Sequence, residues 1–172
     1  MKARQWIRRL ALPCAAVLLL AALLVLTDTG KDEHTREMNG IIFRVPEGYR
    51  LSYSDSRYAM WVWGGTDRGP GRLILDADIR DENARNFAAA EDVLDGLEWL
   101  EGRELYVNPN GVRMARGFTD YNGQPERRYY IESAGAVLLL CMNEDARYYD
   151  VTACEEAILR TADSARPNPA GR

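Results

Sequence analysis

Asp76, Asp78, Asp81 and Glu82 form the densest carboxylate cluster in the chain. Asp76 and Asp78 are two residues apart, so on a strand they leave the same face and can converge on a hard cation such as Ca²⁺, which takes oxygen ligands. The EF-hand spacing is not met. Arg80 stands where the third acidic ligand belongs, Asp81 replaces the loop glycine and Phe87 replaces the closing glutamate. A solvated strand face running into a helix start explains the same acids, since carboxylates favour helix N-termini. Two neighbours on one strand also do not face each other across a cleft as a glycosidase pair must. No cofactor or resident metal is therefore expected, and Asp76 and Asp78 are kept only as the weaker, metal-binding reading.

Nucleophilic chemistry has no better footing. The one histidine, His34, excludes every site that needs two, including the usual zinc hydrolase sets. It falls in a polar stretch and reads as a solvated linker residue. Ser52, Ser54, Ser56, Ser133 and Ser164 include no G-x-S-x-G elbow, Cys141 has no histidine base within the body, and no phosphate-binding glycine loop is present. Trp61 and Trp63 share one strand face. They can form an aromatic surface for sugar or peptide, although large aromatics are also what a sheet packs against helices. Tyr129-Tyr130 and Tyr148-Tyr149 are adjacent pairs, so one member of each is expected to face solvent.

Charge and hydropathy patterning say more about place than about chemistry. Lys2, Arg4, Arg8 and Arg9 are the only charges in residues 1–26, which leaves residues 27–172 at −8 although the whole chain is −4. An acidic body without a basic run argues against nucleic acid as a partner, and 47% hydrophobic residues argue against disorder. Leu10 to Leu26 is a 17-residue uncharged run with eight leucines, broken only by Pro13. Extended through Trp6 and Ile7, it predicts one transmembrane helix contacting the membrane through residues 7–26, with its basic flank cytoplasmic and the body outside. No Ala-x-Ala pattern follows Leu26. Cleavage as a signal peptide would give a secreted protein instead.

After this anchor, residues 27–38 read as a tether, 39–163 as an extracytoplasmic domain and 164–172 as a flexible tail. Ile41 to Val45, Tyr58 to Trp63 and Leu73 to Ile79 alternate as strands do. Phe87, Ala90, Val93, Leu94, Leu97 and Leu100 fall at helical spacing, with Asn83 or Asn86 as cap and Gly102 at the exit. Asn108-Pro109-Asn110-Gly111 and Asn122-Gly123 predict two hairpin turns around a strand from Met114 to Tyr121. Arg127 to Ser133 and Ala136 to Met142 complete the strands. Val137 to Cys141 does not alternate, which predicts a central strand covered on both faces. A second helix, from about Ala146 or Thr152 to Ala162, presents Val151, Cys154, Ile158 and Ala162 as its buried stripe. The fold class is α+β: an antiparallel sheet of about six to seven strands with two packed helices. Phe43, Val62, Leu73, Leu75, Leu94, Leu97, Leu138, Leu140 and Ile158 are the predicted core. A closing helix packed on the central strand would bring Cys141 and Cys154 close enough for a disulfide in an oxidising compartment; two buried free thiols are the alternative.

The opening Gly40-Ile41-Ile42-Phe43-Arg44-Val45-Pro46-Glu47-Gly48-Tyr49 resembles the start of PsbP-like and Mog1-like domains, with Tyr49 where tryptophan is common. The order of middle helix, paired hairpins and closing helix is also similar over residues 38–163. Known relatives are mostly non-enzymatic: photosystem accessory subunits, a small-GTPase-binding protein and bacterial envelope lipoproteins. The resemblance implies a membrane-tethered binding or assembly domain with an envelope protein partner and no transferable catalytic residues. The alternative is a carboxylate- or metal-dependent envelope enzyme using the Asp76 and Asp78 region.

Overall fold

Tyr49–Ser54 and Tyr58–Trp63 pair as the antiparallel strands β3 and β4, and Leu73–Asp76 adds β5. The chain then forms helix α1 (Ala90–Gly96) and returns through Glu101–Val107 (β6), Arg113–Tyr121 (β7), Gln124–Ser133 (β8) and Ala136–Asn143 (β9). Thr35–Met38 (β1) and Ile41–Arg44 (β2) precede these elements, and helix α2 (Val151–Ser164) and Arg166–Pro167 (β10) follow them. The computed structural model describes residues 34–65, 69–77, 87–121, 124–143 and 149–169. The apolar run of residues 1–26, most of the tether and the Asn83 and Asn86 caps lie outside these residues. Among the described residues no helix is long and apolar enough to cross a membrane.

The sheet order explains the non-alternating strand. Seven strands run β3-β4-β5-β9-β8-β7-β6, all antiparallel, which places β9 at the centre. Leu138, Leu140 and Met142 face a core shared with α2, whereas Val137, Leu139 and Cys141 face a second core shared with α1. Both faces of β9 are thus dry, and nothing in it needs to be polar. A separate three-stranded sheet, β1-β2-β10, supplies Met38, Ile41 and Phe43 to the α2 core.

Cys141 and Cys154 are parted by the sheet itself. Cys141 belongs to the α1 core and Cys154 to the α2 core, and the two form no disulfide. The expected juxtaposition fails by one residue of strand parity: Leu140 and Met142 face the closing helix, and Cys141 does not.

Other expectations are corrected by burial and pairing. Val62 and Leu94 are only half-buried, Val151 at the start of α2 is exposed, and the remaining predicted core residues are buried. Tyr129 and Tyr130 are both buried, because β8 also has a core on each face. Residues 35–38, read as tether, pair with β2. The tail is anchored as well: Arg166 and Pro167 pair with β2, the Asn168 N–H donates to the Gly40 carbonyl, and Ala165 is fully buried.

The middle helix is shorter than its apolar spacing predicts. Leu97 and Leu100 remain buried but follow the last helical turn. At the start, Asp92 in the first turn accepts from the Ala88 and Ala89 N–H groups, and the cap position itself is Ala89, with no capping side chain. At the end, the Arg103 guanidinium donates to the Leu94 and Leu97 carbonyls at 3.1 Å, satisfying acceptors that a continuing helix would have used.

The two outer strands of the large sheet are irregular. Register slips between Leu51 and Tyr53 in β3, and between Glu101 and Glu104 in β6, where Gly102 takes a positive φ of 60°. Such breaks are how sheet edges avoid presenting a continuous ladder.

Two measurements check this arrangement. Leu140→Ala should cost about 2–5 kcal/mol in denaturant unfolding, because the side chain lies in a packed core with no room to collapse. Alkylation of the denatured, unreduced protein should label both Cys141 and Cys154 in peptide maps; a linked pair resisting the reagent would contradict the opposite-face placement.

Candidate functional site

The residues singled out in the sequence do not converge. Asp76 ends β5 half-buried, opposite Tyr58 and Leu139, while Asp78, Asp81 and Glu82 lie outside the described residues. Among the described residues no group of three or more histidine, cysteine or acidic side chains is placed to hold a metal. Trp61 is 1% exposed and packs in the α2 core, so the aromatic surface built on it is not available. Burial pushes the Cys141 thiol pKa well up, which keeps that sulfur neutral at physiological pH.

Trp63 has a different fate from Trp61. Its half-buried ring meets Tyr49 edge-on at 5.8 Å and borders a surface hollow of about 270 Å³ with Pro70, Arg72 and Tyr149. Gly48 and Gly69 bracket the ring so closely that a Cβ at either position would overlap it. These glycines are spacers for tryptophan, and Gly48, with φ at 93°, also turns the chain into β3. The loop is tied down behind them: the Tyr49 hydroxyl donates to the Gly71 carbonyl at 3.1 Å, and the Gly71 N–H donates to Cys154 Sγ at 3.0 Å.

The more highly functionalised concavity lies between α2 and strands β6 to β8. It encloses about 280 Å³ and is lined by Glu104, Arg116, Phe118, Arg127, Tyr129, Glu155 and Leu159, with Gly102 and Gly117 at its margin. Hairpin register sets its floor: Phe118 is paired with Arg127 and Arg116 with Tyr129, so both arginines share one face as diagonal neighbours. Arg116 donates through Nε and Nη2 to Glu104 Oε1, at 2.8 and 2.7 Å. Its guanidinium also lies 4.6 Å from the Tyr106 ring centroid. Burial alone would lower the Arg116 pKa, but its hydrogen bonds to Glu104 and Tyr129 raise it, so the charge is permanent. Arg127 pairs with Glu155 of α2 and lies 6.0 Å from the Phe118 ring centroid. Phe118 itself is 40% exposed.

The helix forming the wall of this groove is fixed by the turn between β6 and β7. The side-chain nitrogen of Asn108 donates to the Ala162 and Ala165 carbonyls at 2.9 and 2.7 Å, while its oxygen accepts from the Asn110 and Val112 N–H groups. Asn110 adds donors to the Asp163 and Ala165 carbonyls. Helix carbonyls that would otherwise be orphaned are thus capped by side chains from a distant hairpin. Tyr106 donates its hydroxyl to Asp163 on the same stretch. That bond, followed by burial, pushes the Tyr106 pKa up to about 12.

Chemically, the groove offers fixed positive charge, carboxylates and exposed aromatic surface, without a nucleophile beside a base among the described residues that line it. Such a set binds and orients. Of its residues the sequence singled out only Tyr129, as one of an adjacent tyrosine pair, and Gly102, as a helix exit. The signal was present in part, because Asn122-Gly123 predicts a two-residue turn, and that register sets Phe118 opposite Arg127 and Arg116 opposite Tyr129. The contribution of Glu155 and Leu159 from α2 depends on tertiary packing.

Two outcomes are expected. Asn108→Ala should destabilise the fold by roughly 3 kcal/mol in urea unfolding, since it strands buried donors and acceptors. Tyr106 ionises later in the folded chain than in the unfolded one, so its contribution is complete below about pH 10 and is lost as pH rises towards 12. Tyr106→Phe should flatten the fall in stability across that window.

In comparisons with protein-family models, curated proteins and solved structures, nothing matches the chain.

Proposed function

We propose that the chain is a membrane-tethered, extracytoplasmic binding or assembly domain that holds its ligand or partner in the groove between α2 and strands β6 to β8. The observation that carries this reading is the composition of the groove: paired arginines, carboxylates and an exposed phenylalanine on a rigid sheet. Fixed charge beside uncovered aromatic surface suits recognition. The resemblance to PsbP-like and Mog1-like domains supports the same non-catalytic role. So does the order of elements, with a middle helix between strands and a closing helix packed on an antiparallel sheet. The basic flank and apolar run of residues 1–26 support single-pass anchoring, with the domain outside.

Photocrosslinking in membranes carrying the full chain tests both parts of the proposal. Phe118→p-benzoylphenylalanine and Leu159→p-benzoylphenylalanine should each give light-dependent adducts. The same replacement at Ala134, in the exposed turn between β8 and β9, should not. Protease added outside intact cells should digest the domain. Adducts independent of position would remove the groove from the reading, and a domain untouched by external protease would overturn the topology.

A further inference from the structure

We infer that the groove is a site for a small organic anion, with a carboxylate or phosphate head between Arg116 and Arg127 and an apolar body over Phe118 and Leu159. This inference rests on the groove being the binding site proposed above, and it names the class of ligand.

Three features converge on it. The first is placement. Arg116 and Arg127 are diagonal neighbours on one face of adjacent antiparallel strands, with backbones about 7–8 Å apart, so their long side chains can both reach one oxyanion with several acceptor oxygens. The two arginines stand on one face of an otherwise acidic body, at −8 for residues 27–172.

The second feature is what occupies the guanidiniums now. Glu104 approaches Arg116 from β6, and Glu155 approaches Arg127 from α2. Both carboxylates are on long side chains about half exposed, at 57% and 48%. Ion pairs exposed to this degree contribute little stability and exchange readily with another anion. The two glutamates therefore act as internal stand-ins for a ligand head, and either can swing to solvent when a better-placed oxyanion arrives. Arg116 is the more strongly held, because it is also bonded to Tyr129 and stacked on Tyr106. Arg127, whose pair to Glu155 reaches across to a helix side chain, is the arm that changes partner.

The third feature is the uncovered ring. Phe118 leaves 40% of its surface in water beside Leu159, at the edge of a cavity of about 280 Å³. That volume is at the small end of ligand sites. It admits a compact apolar group attached to the head and excludes a long chain.

The test uses the full chain in detergent micelles and calorimetric titration with phenyl phosphate, phenylacetate, inorganic phosphate and benzyl alcohol. At least one of the two aromatic anions should bind saturably, and their ratio reports whether the head is phosphate or carboxylate. Inorganic phosphate and benzyl alcohol should each bind at least tenfold more weakly, since each lacks one half of the recognition. Arg127→Gln should weaken the aromatic anion at least tenfold. Glu155→Gln should strengthen it several-fold by removing the internal competitor, an outcome that a merely structural ion pair would not give. Equal binding of benzyl alcohol, indifference to Arg127→Gln, no gain from Glu155→Gln, or no binding of either aromatic anion would each overturn the inference. Groove-specific crosslinks without anion binding would leave the binding-domain reading standing and remove only the ligand class. Anion binding without such crosslinks would keep the site and remove the macromolecular partner.

Discussion

The carboxamide of Asn108 is 4% exposed, and its two ends work on different elements. Its oxygen closes the turn between β6 and β7 by accepting from two backbone N–H groups, and its nitrogen caps the last carbonyls of α2. Only a carboxamide presents an acceptor and a double donor at this spacing, so the residue is specified by chemistry more than by size. Much depends on that bond set. It fixes where α2 ends, and the residues just beyond pair with β2, which ties the small sheet to the large one. It also sets the distance between α2 and the strands bearing Arg116 and Arg127. The groove runs beside a helix that packs on the sheet and whose C-terminal end is held by the hairpin turn.

A second constraint is the central position of β9. A strand with cores on both faces separates the interior into two compartments, each with its own helix. The compartments differ in character. The α2 side takes the large side chains Trp61, Phe43 and Tyr49, while the α1 side holds a charged pair, Glu126 and Arg128, with side chains only 13% and 12% exposed. Arg128 is covered by Trp99 at 5.0 Å and also bonds the Tyr130 hydroxyl. A guanidinium so enclosed is retained only because each of its neighbours satisfies it.

Much of the architecture was legible in the residues. Alternation located β2, β4 and β5, and asparagine-rich turns located the β6–β7 and β7–β8 hairpins. The lack of alternation at Val137 to Cys141 located the centre of the sheet. What failed has physical causes. Strands β1 and β10 are short and polar, and they exist because β2 offers them a partner. β6 carries mostly exposed residues on an edge and has no periodicity to read. Helix α1 stops early because Arg103, seven residues beyond Gly96, supplies donors to its last carbonyls. The cysteine pairing failed on strand parity, which a run of consecutive apolar residues conceals. The groove was only half legible: register gives its floor, but its wall depends on a capping contact more than 50 residues away in sequence.

The irregular rims of the large sheet bear on how the chain tolerates company. Folded chains at high concentration meet one another often. A straight outer strand with exposed leucine, valine or tyrosine would then serve as a template for sheet growth between neighbours. β3 and β6 both expose such side chains, Leu51 and Tyr53 on one and Leu105 and Val107 on the other. Each also has a slipped register that prevents a long run of backbone groups from lining up with a second chain. The kink at Gly102 therefore lets the domain keep apolar residues on its rim at high local density without adding strands from its neighbours.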